Sequence, residues 1–425
     1  MEKVSLANKP DTITTRQSDA RCRSAASIAD RCAHRIRNRA GRASWHGGHS
    51  WHLRNLLGLA RRPLSWLAAA TIFVVPLSTQ ALDLSEQITL NGLLAGVYQC
   101  QQTNAGNPPD DACRGAVVLQ PEVSYEPTPA DQFFAKFGFA IGNGLNNVSP
   151  FELSSWAADL EADVKNINGS GRSYLLEAWY SRIFALGEDN RIQLVGGIID
   201  PSAYFNRNAY ANDEFTQFSN AAFVNARNLY MPAYDWGAVV VWQVGNWTLS
   251  GTGMSVGQNE DGKAYHWSAG EIEYRLRTGL GDGHYRVTYS GTSEDFSSAS
   301  GDDQEPLAGL FLSFDQALGD VFGVFLRAAW GLTDGEGTYQ SGYEGGFDFK
   351  GAAWGRESDR IGIAYGHVHG GNSDVFQSDV VETYYRFAIN DRLAISADVQ
   401  WMKDSYSGAD DVTGLIFGLR AVAEF

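Results

Sequence analysis

No stretch of this chain supplies the roughly 20 consecutive apolar residues that a membrane-crossing helix needs. The nearest approach, LSWLAAATIFVVPLSTQA at residues 64–81, is interrupted by Pro76 and by polar residues. Methionine and cysteine are scarce, four of each in 425 residues, whereas aromatics make up 12% and glycines number 46. That balance disfavours a helical protein and favours many strands joined by turns. Basic charge is thin in most of the chain: beyond residue 81 there are 20 Lys and Arg against 45 Asp and Glu. A nucleic-acid partner, which requires a basic surface, is therefore not expected.

Residues 1–81 are built differently, with 13 Lys and Arg against 4 acids. Arg61 and Arg62 precede the apolar run, and Thr79 and Ala81 supply small residues at its end. This is the pattern of a cleaved export signal, so the mature chain is expected to start near Leu82. Residues 1–50, rich in Arg, Ser and Ala, are either an amino-terminal extension or translation from an upstream start. They are left out of fold reasoning, and a metal site in His34, His46, His49 and His52 is disfavoured. Cys22 and Cys32 fall in that piece. Cys100 and Cys113 flank a polar Pro/Gly segment and in an oxidising compartment could close it as a disulfide; zinc is the weaker rival.

From residue 84 onward the pattern is period two. Val117, Leu119, Pro121, Val123 and Tyr125 alternate with polar residues, and Phe133, Ala135, Phe137, Phe139 and Ile141 share the next apolar face, with Lys136 opposite. Continuing gives sixteen strands, including 173–184, 191–200, 235–245, 247–256, 264–278, 345–355 and 412–425. PTPAD, LGEDN, VGN, GLGDG, ALGD, GRES and INDR make one set of connections short, while the other set is long. Short turns at one rim and long loops at the other are the pattern of an outer-membrane barrel. A soluble sandwich or propeller is the rival. Aromatics near strand ends, the even strand count and an alternating last strand ending on Phe425 weigh against it. The expected fold is an all-β transmembrane antiparallel barrel of about sixteen strands, wide enough to enclose water.

One stretch breaks the alternation: GIIDPSAYFNRNAYANDEFTQFSNAAFVNARNLYMPAYDW, read from Gly197. It carries Tyr204, Phe205, Tyr210, Phe215, Phe218, Phe223, Tyr230 and Tyr234 among Asn, Asp, Glu and Arg. A loop so long and aromatic is expected to fold onto something, here the lumen of the barrel.

Reaction chemistry is weakly signalled. Gly257, Gly262 and Lys263 have phosphate-loop spacing, but Ala264 replaces the Ser or Thr and no helix follows. His367 and His369 with Asp374 could clip a metal, although ordinary barrel polar residues are the favoured reading. His266 and Ser268 raise an outer-membrane hydrolase, yet they share the face of Ile272 and Leu276, which would point to lipid. No catalytic residue, metal or cofactor is expected. Recognition is better represented: inward faces carry Glu177, Trp179, Trp267, Glu271, Glu273, Arg275, Arg277, Arg286, Arg327, Glu382, Arg386, Arg420 and Glu424, and the long segment adds Arg207, Asn212, Asp213, Glu214 and Arg227. Each of these singly is more often a wall ion pair than a substrate contact. Together they offer rings for sugar C–H faces and planar groups for vicinal hydroxyls. The expected pathway comprises Tyr204, Phe205, Arg207, Asn212, Asp213, Glu214 and Arg227 with Trp179, Trp267, Arg275, Arg327 and Arg386.

The run IIDPSAYFNRNAYANDEFTQFSNAAFVN followed by DWGAVVVWQ resembles the carbohydrate-selective outer-membrane porins of Gram-negative bacteria. The resemblance implies a sixteen-stranded diffusion channel for mono- and oligosaccharides, without cofactor. Its partners would be carbohydrates, outer-membrane lipid and lipopolysaccharide, and a homo-oligomer is compatible. A general porin without sugar selectivity is the alternative, and a barrel hydrolase the more distant one.

Overall fold

The computed structural model describes residues 82–105, 111–298, 304–335, 339–370 and 375–425. The expected extension and export signal, and Asp374, lie outside the described residues.

The strands are β1 (Leu82–Ser85), β2 (Ile88–Thr103), β3 (Ala112–Thr128), β4 (Asp131–Phe137), β5 (Phe139–Ile141), β6 (Leu175–Gly187), β7 (Asn190–Ile199), β8 (Asp235–Val244) and β9 (Trp247–Gln258). They continue as β10 (Ala264–Thr278), β11 (Gly281–Ser297), β12 (Gln304–Leu318), β13 (Phe322–Gly331), β14 (Tyr339–Lys350), β15 (Arg360–Gly370), β16 (Val375–Ala388), β17 (Leu393–Tyr406) and β18 (Val412–Glu424). Successive strands pair antiparallel, and β18 returns to β2 in the register Arg420↔Val97 and Ile416↔Gln101, which closes the sheet. Strands β4 and β5 are one wall strand interrupted at Gly138, both lying against β3. β1 folds back on the start of β2. The wall is thus a closed antiparallel barrel of sixteen strands, and closure leaves no free edge.

Alternation sorts the two faces. Leu94 and Tyr98 are exposed while Ala95, Val97 and Gln99 between and beside them are buried. Outward rings cluster near strand ends, as in Trp247 against Tyr274 (centroids 4.7 Å apart) and Phe322 against Phe349 (5.0 Å). The opposite face carries buried Glu271, Glu273, Arg286, Asp315, Arg327, Glu382 and Arg420. Apolar residues outward and polar residues inward are what a lipid-facing wall around a polar interior requires.

Two local results differ from, or add to, the sequence reading. The strand expected at 345–355 runs Tyr339–Lys350 and gives way to a tight helical turn over Gly351–Trp354. Apolar spacing through GAAW imitates a strand, but Asp359 gathers this stretch into a turn by accepting from Arg356 Nε (2.6 Å), Tyr385 Oη (2.5 Å) and Ala388 N (2.9 Å). The Arg356 contact, foremost, holds the Asp359 carboxyl well below the usual carboxylate range. Cys100 and Cys113 are a disulfide between directly paired positions of β2 and β3, with Cα atoms 4.0 Å apart.

Candidate functional site

The connection from β7 to β8 carries its own local turns and short helices. Asp200 Oδ1 accepts from Ser202 N at 2.8 Å and starts the one-turn helix α1 (Ser202–Phe205). Asp213 Oδ1 accepts from Phe215 N (2.8 Å) and Thr216 N (3.2 Å), and Asn220 caps the short helix α2 (Ala221–Val224) through Ala222 N (2.8 Å). These Asx-type bonds satisfy backbone donors that a loop would otherwise leave to water.

Buried and half-buried anchors tie the segment to the polar face of the wall. Arg207 Nη2 lies 2.7 Å from both Glu271 Oε1 and Glu273 Oε2 on β10. Asn208 Nδ2 donates to Ser313 Oγ on β12 at 3.1 Å, and Asn228 Nδ2 donates to Tyr339 O on β14 at 2.6 Å. Ser219 N and Asn220 N donate to the Glu382 carboxylate on β16 at 2.6 and 3.0 Å. Asn220 Nδ2 reaches Gln400 Oε1 on β17 at 2.8 Å, and Arg420 on β18 donates to the carbonyls of Glu214 and Gln217. One connection therefore touches strands from β10 round to β18.

Its rings follow the same route. Phe218 packs with Phe223, Phe325 of β13 and Tyr384 of β16 at centroid distances of 5.1, 5.7 and 5.0 Å. Missing wall side chains make room: a Cβ on Gly309 would stand 1.5 Å from Asn228 O, and one on Gly323 would stand 2.2 Å from the Tyr210 ring. Van der Waals contact cannot tolerate either distance.

The second long connection, residues 143–172, packs against the polar face of the wall as well. Leu145, Leu153, Trp156, Leu160 and Val164 are buried. Gln99 Nε2 donates to Ser155 O at 3.1 Å, and Glu152 N donates to Asp404 Oδ2 at 2.8 Å. The two connections also bind each other through Ala157 N to Ser219 O (3.0 Å), Ala221 N to Ser154 O (2.9 Å) and Tyr234 Oη to Asp159 Oδ2 (2.5 Å).

The sequence-nominated residues separate into groups. Arg207, Arg227, Arg327 and Trp267 converge on the segment: Arg227 lies beside Glu344 (3.6 Å) with its guanidinium 5.6 Å from the Tyr339 ring, and Trp267 Nε1 donates to Leu229 O at 2.8 Å. Phe205 packs edge-on against Trp267 at 6.0 Å. Tyr204 and Trp179 stay partly open, packed at the margin of that cluster. Asp213 is occupied by its turn, and Asn212 N donates to Gln217 Oε1 at 3.0 Å. Arg275 and Arg386 lie elsewhere, near the short-turn rim, where Arg275 pairs with Asp282 and Arg386 donates to Ser358 O (3.3 Å). His266 and Ser268 are exposed beside Ile272 on the outward face. His367 Nδ1 is 2.9 Å from Asp379 Oδ1. Among the described residues no group of three His, Cys, Asp or Glu could hold a metal ion.

Burial, together with Asp213 and Asp159 nearby, pushes the Glu214 carboxyl up to about 8. Burial likewise raises Asp159 to about 6 and, with Asp404 alongside, Glu152 to about 7. Missed by sequence reasoning were the amide and hydroxyl anchors Asn206, Asn208, Ser219 and Asn220. Their only signal was their spacing among rings, in YFNRN and FSNAAF.

A family model described as the carbohydrate-selective porin, OprB family, matches residues 151–425, which include the whole β7–β8 connection. The chain belongs to that family. A porin is an outer-membrane channel, and the sixteen-stranded wall accords with that class. An uncharacterised protein of Aquifex aeolicus (strain VF5) is 27% identical over 273 residues, 62% of this porin and 76% of the relative. Among solved structures, Pseudomonas putida OprB at high pH superposes with a TM-score of 0.64 at 14% identity, covering 80% of this porin and 94% of that chain. Vibrio cholerae OmpT superposes at 0.50 with 10% identity, covering 80% and 98%. At such identities the likeness is one of fold.

Proposed function

We propose that this porin is a passive channel selective for carbohydrates, admitting other small hydrophilic solutes, and that its β7–β8 connection is the constriction. The observation that carries the reading is the set of side-chain anchors from β10 to β18. A barrel of this strand number is too wide to sort sugars by its wall alone, and a segment tied at so many points is held rigidly enough to do so. Facing Arg and carboxylate groups supply planar hydrogen-bond partners, and rings supply apolar faces, as hydroxylated rings require.

Export through the periplasm with removal of residues 1–81 belongs to the same reading. So do contact of the outward rings with lipid and lipopolysaccharide, and function without catalysis. Mass spectrometry of envelope-extracted protein is expected to find no peptide from residues 1–81. Planar-bilayer recording tests the channel: wild-type protein should give stepwise current that added sugars block. Deleting Tyr204–Tyr230, in barrels that still migrate as closed, should raise conductance and abolish sugar blockade. Unchanged conductance and blockade after the deletion would overturn the constriction.

A further inference from the structure

Rings turned to the polar face fall into two groups. Phe218, Phe223, Phe325 and Tyr384 are fully covered by one another and by the inserted connections. Phe134 of β4 and Trp179 of β6 keep part of their surface open. They are directly registered across the two strands and stacked, with centroids 4.8 Å apart and planes inclined by 22°. An aromatic face left to water inside a barrel is unfavourable, so an apolar surface that can lie on it gains binding energy.

The surroundings are polar in a specific way. On the same face, two residues along each strand, Lys136 and Glu177 are registered opposite each other. Trp179 Nε1 donates to Glu177 Oε2 at 3.0 Å, which fixes the plane of the indole against Phe134. Lys136 Nζ stands 3.5 Å from Glu122 Oε1, too long to use up an ammonium with three donors. Next to Trp179 on β7 is Gly197, at φ +143°, where a Cβ would lie 3.0 Å from the Trp179 Cβ. Gly197 carries no side chain there because a Cβ would also stand 2.3 Å from Ala178 O of β6, and Tyr204, like Trp179, packs partly open at the margin of the inner cluster.

We propose that Phe134 and Trp179 are the stacking platform of a neutral-pyranose subsite, with Lys136 and Glu122 bonding ring hydroxyls and Glu177 acting as a positioning residue for the indole. It rests on the carbohydrate-channel reading and adds a defined place on the wall to it. A pyranose presents an apolar C–H face and a rim of hydroxyls, which matches rings beside an ammonium and a carboxylate. Glu122, Glu177 and Asp200 around Lys136 outnumber its single positive charge, so neutral sugars are the class that fits.

The test is calorimetric titration of the detergent-solubilised barrel with D-glucose, run beside current blockade by the same sugar. Trp179→Ala and Phe134→Ala should each weaken binding about tenfold, and Trp179→Phe should restore it to within about threefold. Glu177→Gln should weaken binding less and alter the near-ultraviolet circular dichroism of the indole, a signature that loss of a mere wall contact would not give. Wild-type affinity in both alanine variants overturns the subsite. Absence of glucose binding to wild-type protein that conducts normally overturns it too and leaves the pore standing. Binding that the variants weaken, in a barrel that never conducts, sinks the channel reading alone.

Discussion

Arg327 Nη2 of strand β13 donates to Asn206 Oδ1 of the β7–β8 connection at 2.7 Å, while its Nη1 donates to the carbonyls of Ala211 and Phe223. Glu344 stands 3.5 Å away on β14, and the Phe311 ring lies 5.0 Å from the guanidinium. One buried side chain thus holds three points of the inserted segment. Replacing it with Met keeps most of the volume but strands several acceptors, at a cost of about 1–3 kcal/mol for each unsatisfied group. Arg327→Met is expected to loosen the segment rather than the wall. The measurement is single-channel recording, in which conductance should rise and become noisier, with the heat-modifiable gel mobility of the barrel preserved.

Wall glycines give a gentler version of the same experiment. Gly323→Val would push a side chain into the Tyr210 ring and Gly309→Val would push one into Asn228 O. Both substitutions suit a strand by propensity, so the cost falls on docking of the connection. Limited proteolysis should cut within residues 201–234 in these variants and spare the wild type. Equal resistance would mean that the segment does not depend on those contacts.

The raised carboxyls set a pH dependence. Glu214, pushed up to about 8, is largely neutral at pH 6 and charged at pH 9, with Asp213, Asp159 and Lys136 as its charged neighbours. For an acid whose folded value is raised, the unfolded chain gives up its proton first. Stability from this group is therefore full below the unfolded value, falls as pH rises from there toward 8, and stays lost above it. Cation preference, read from reversal potentials in a salt gradient, should climb between pH 6 and 9 as negative charge appears. Glu214→Gln should remove the upper part of that climb, leaving the parts that Asp159 and Glu152 contribute nearer pH 6 and 7.

The disulfide offers a separable effect. Cys100 and Cys113 close a short loop, for which the chain-entropy model gives about 3 kcal/mol, yet strand pairing already holds both partners in register. Cys100→Ser with Cys113→Ser is expected to lower the thermal midpoint while leaving sugar blockade at its wild-type value. A shift in blockade would tie the external loop to the pathway.

Sixteen wall strands, the faces they present and the long ring-rich β7–β8 connection were legible in the order of residues; the matching docking of residues 143–172 was not. Strand alternation is a local property: each residue's neighbours two positions away share its face, so Leu94, Tyr98 and Gln99 can be assigned without knowing what lies across the sheet. The boundary of β14 was misread for the same reason, because apolar spacing continues into GAAW, where only Asp359 and Arg356 make a turn. What holds the inserted segment was not legible. Glu382, Gln400 and Arg420 meet Ser219, Asn220 and Glu214 across more than 160 positions of chain, and no local period records such a meeting. Arg275 and Arg327 look alike in sequence, both on polar faces. Height along a tilted strand sends the first to Asp282 at the rim and the second under the inserted segment. Composition and period thus determined a membrane barrel with a ring-rich insertion. Closure of the sheet decided which charges are buried, which rings are covered, and that Phe134 and Trp179 remain open, because those outcomes depend on register between strands and on docking that only the folded chain brings about.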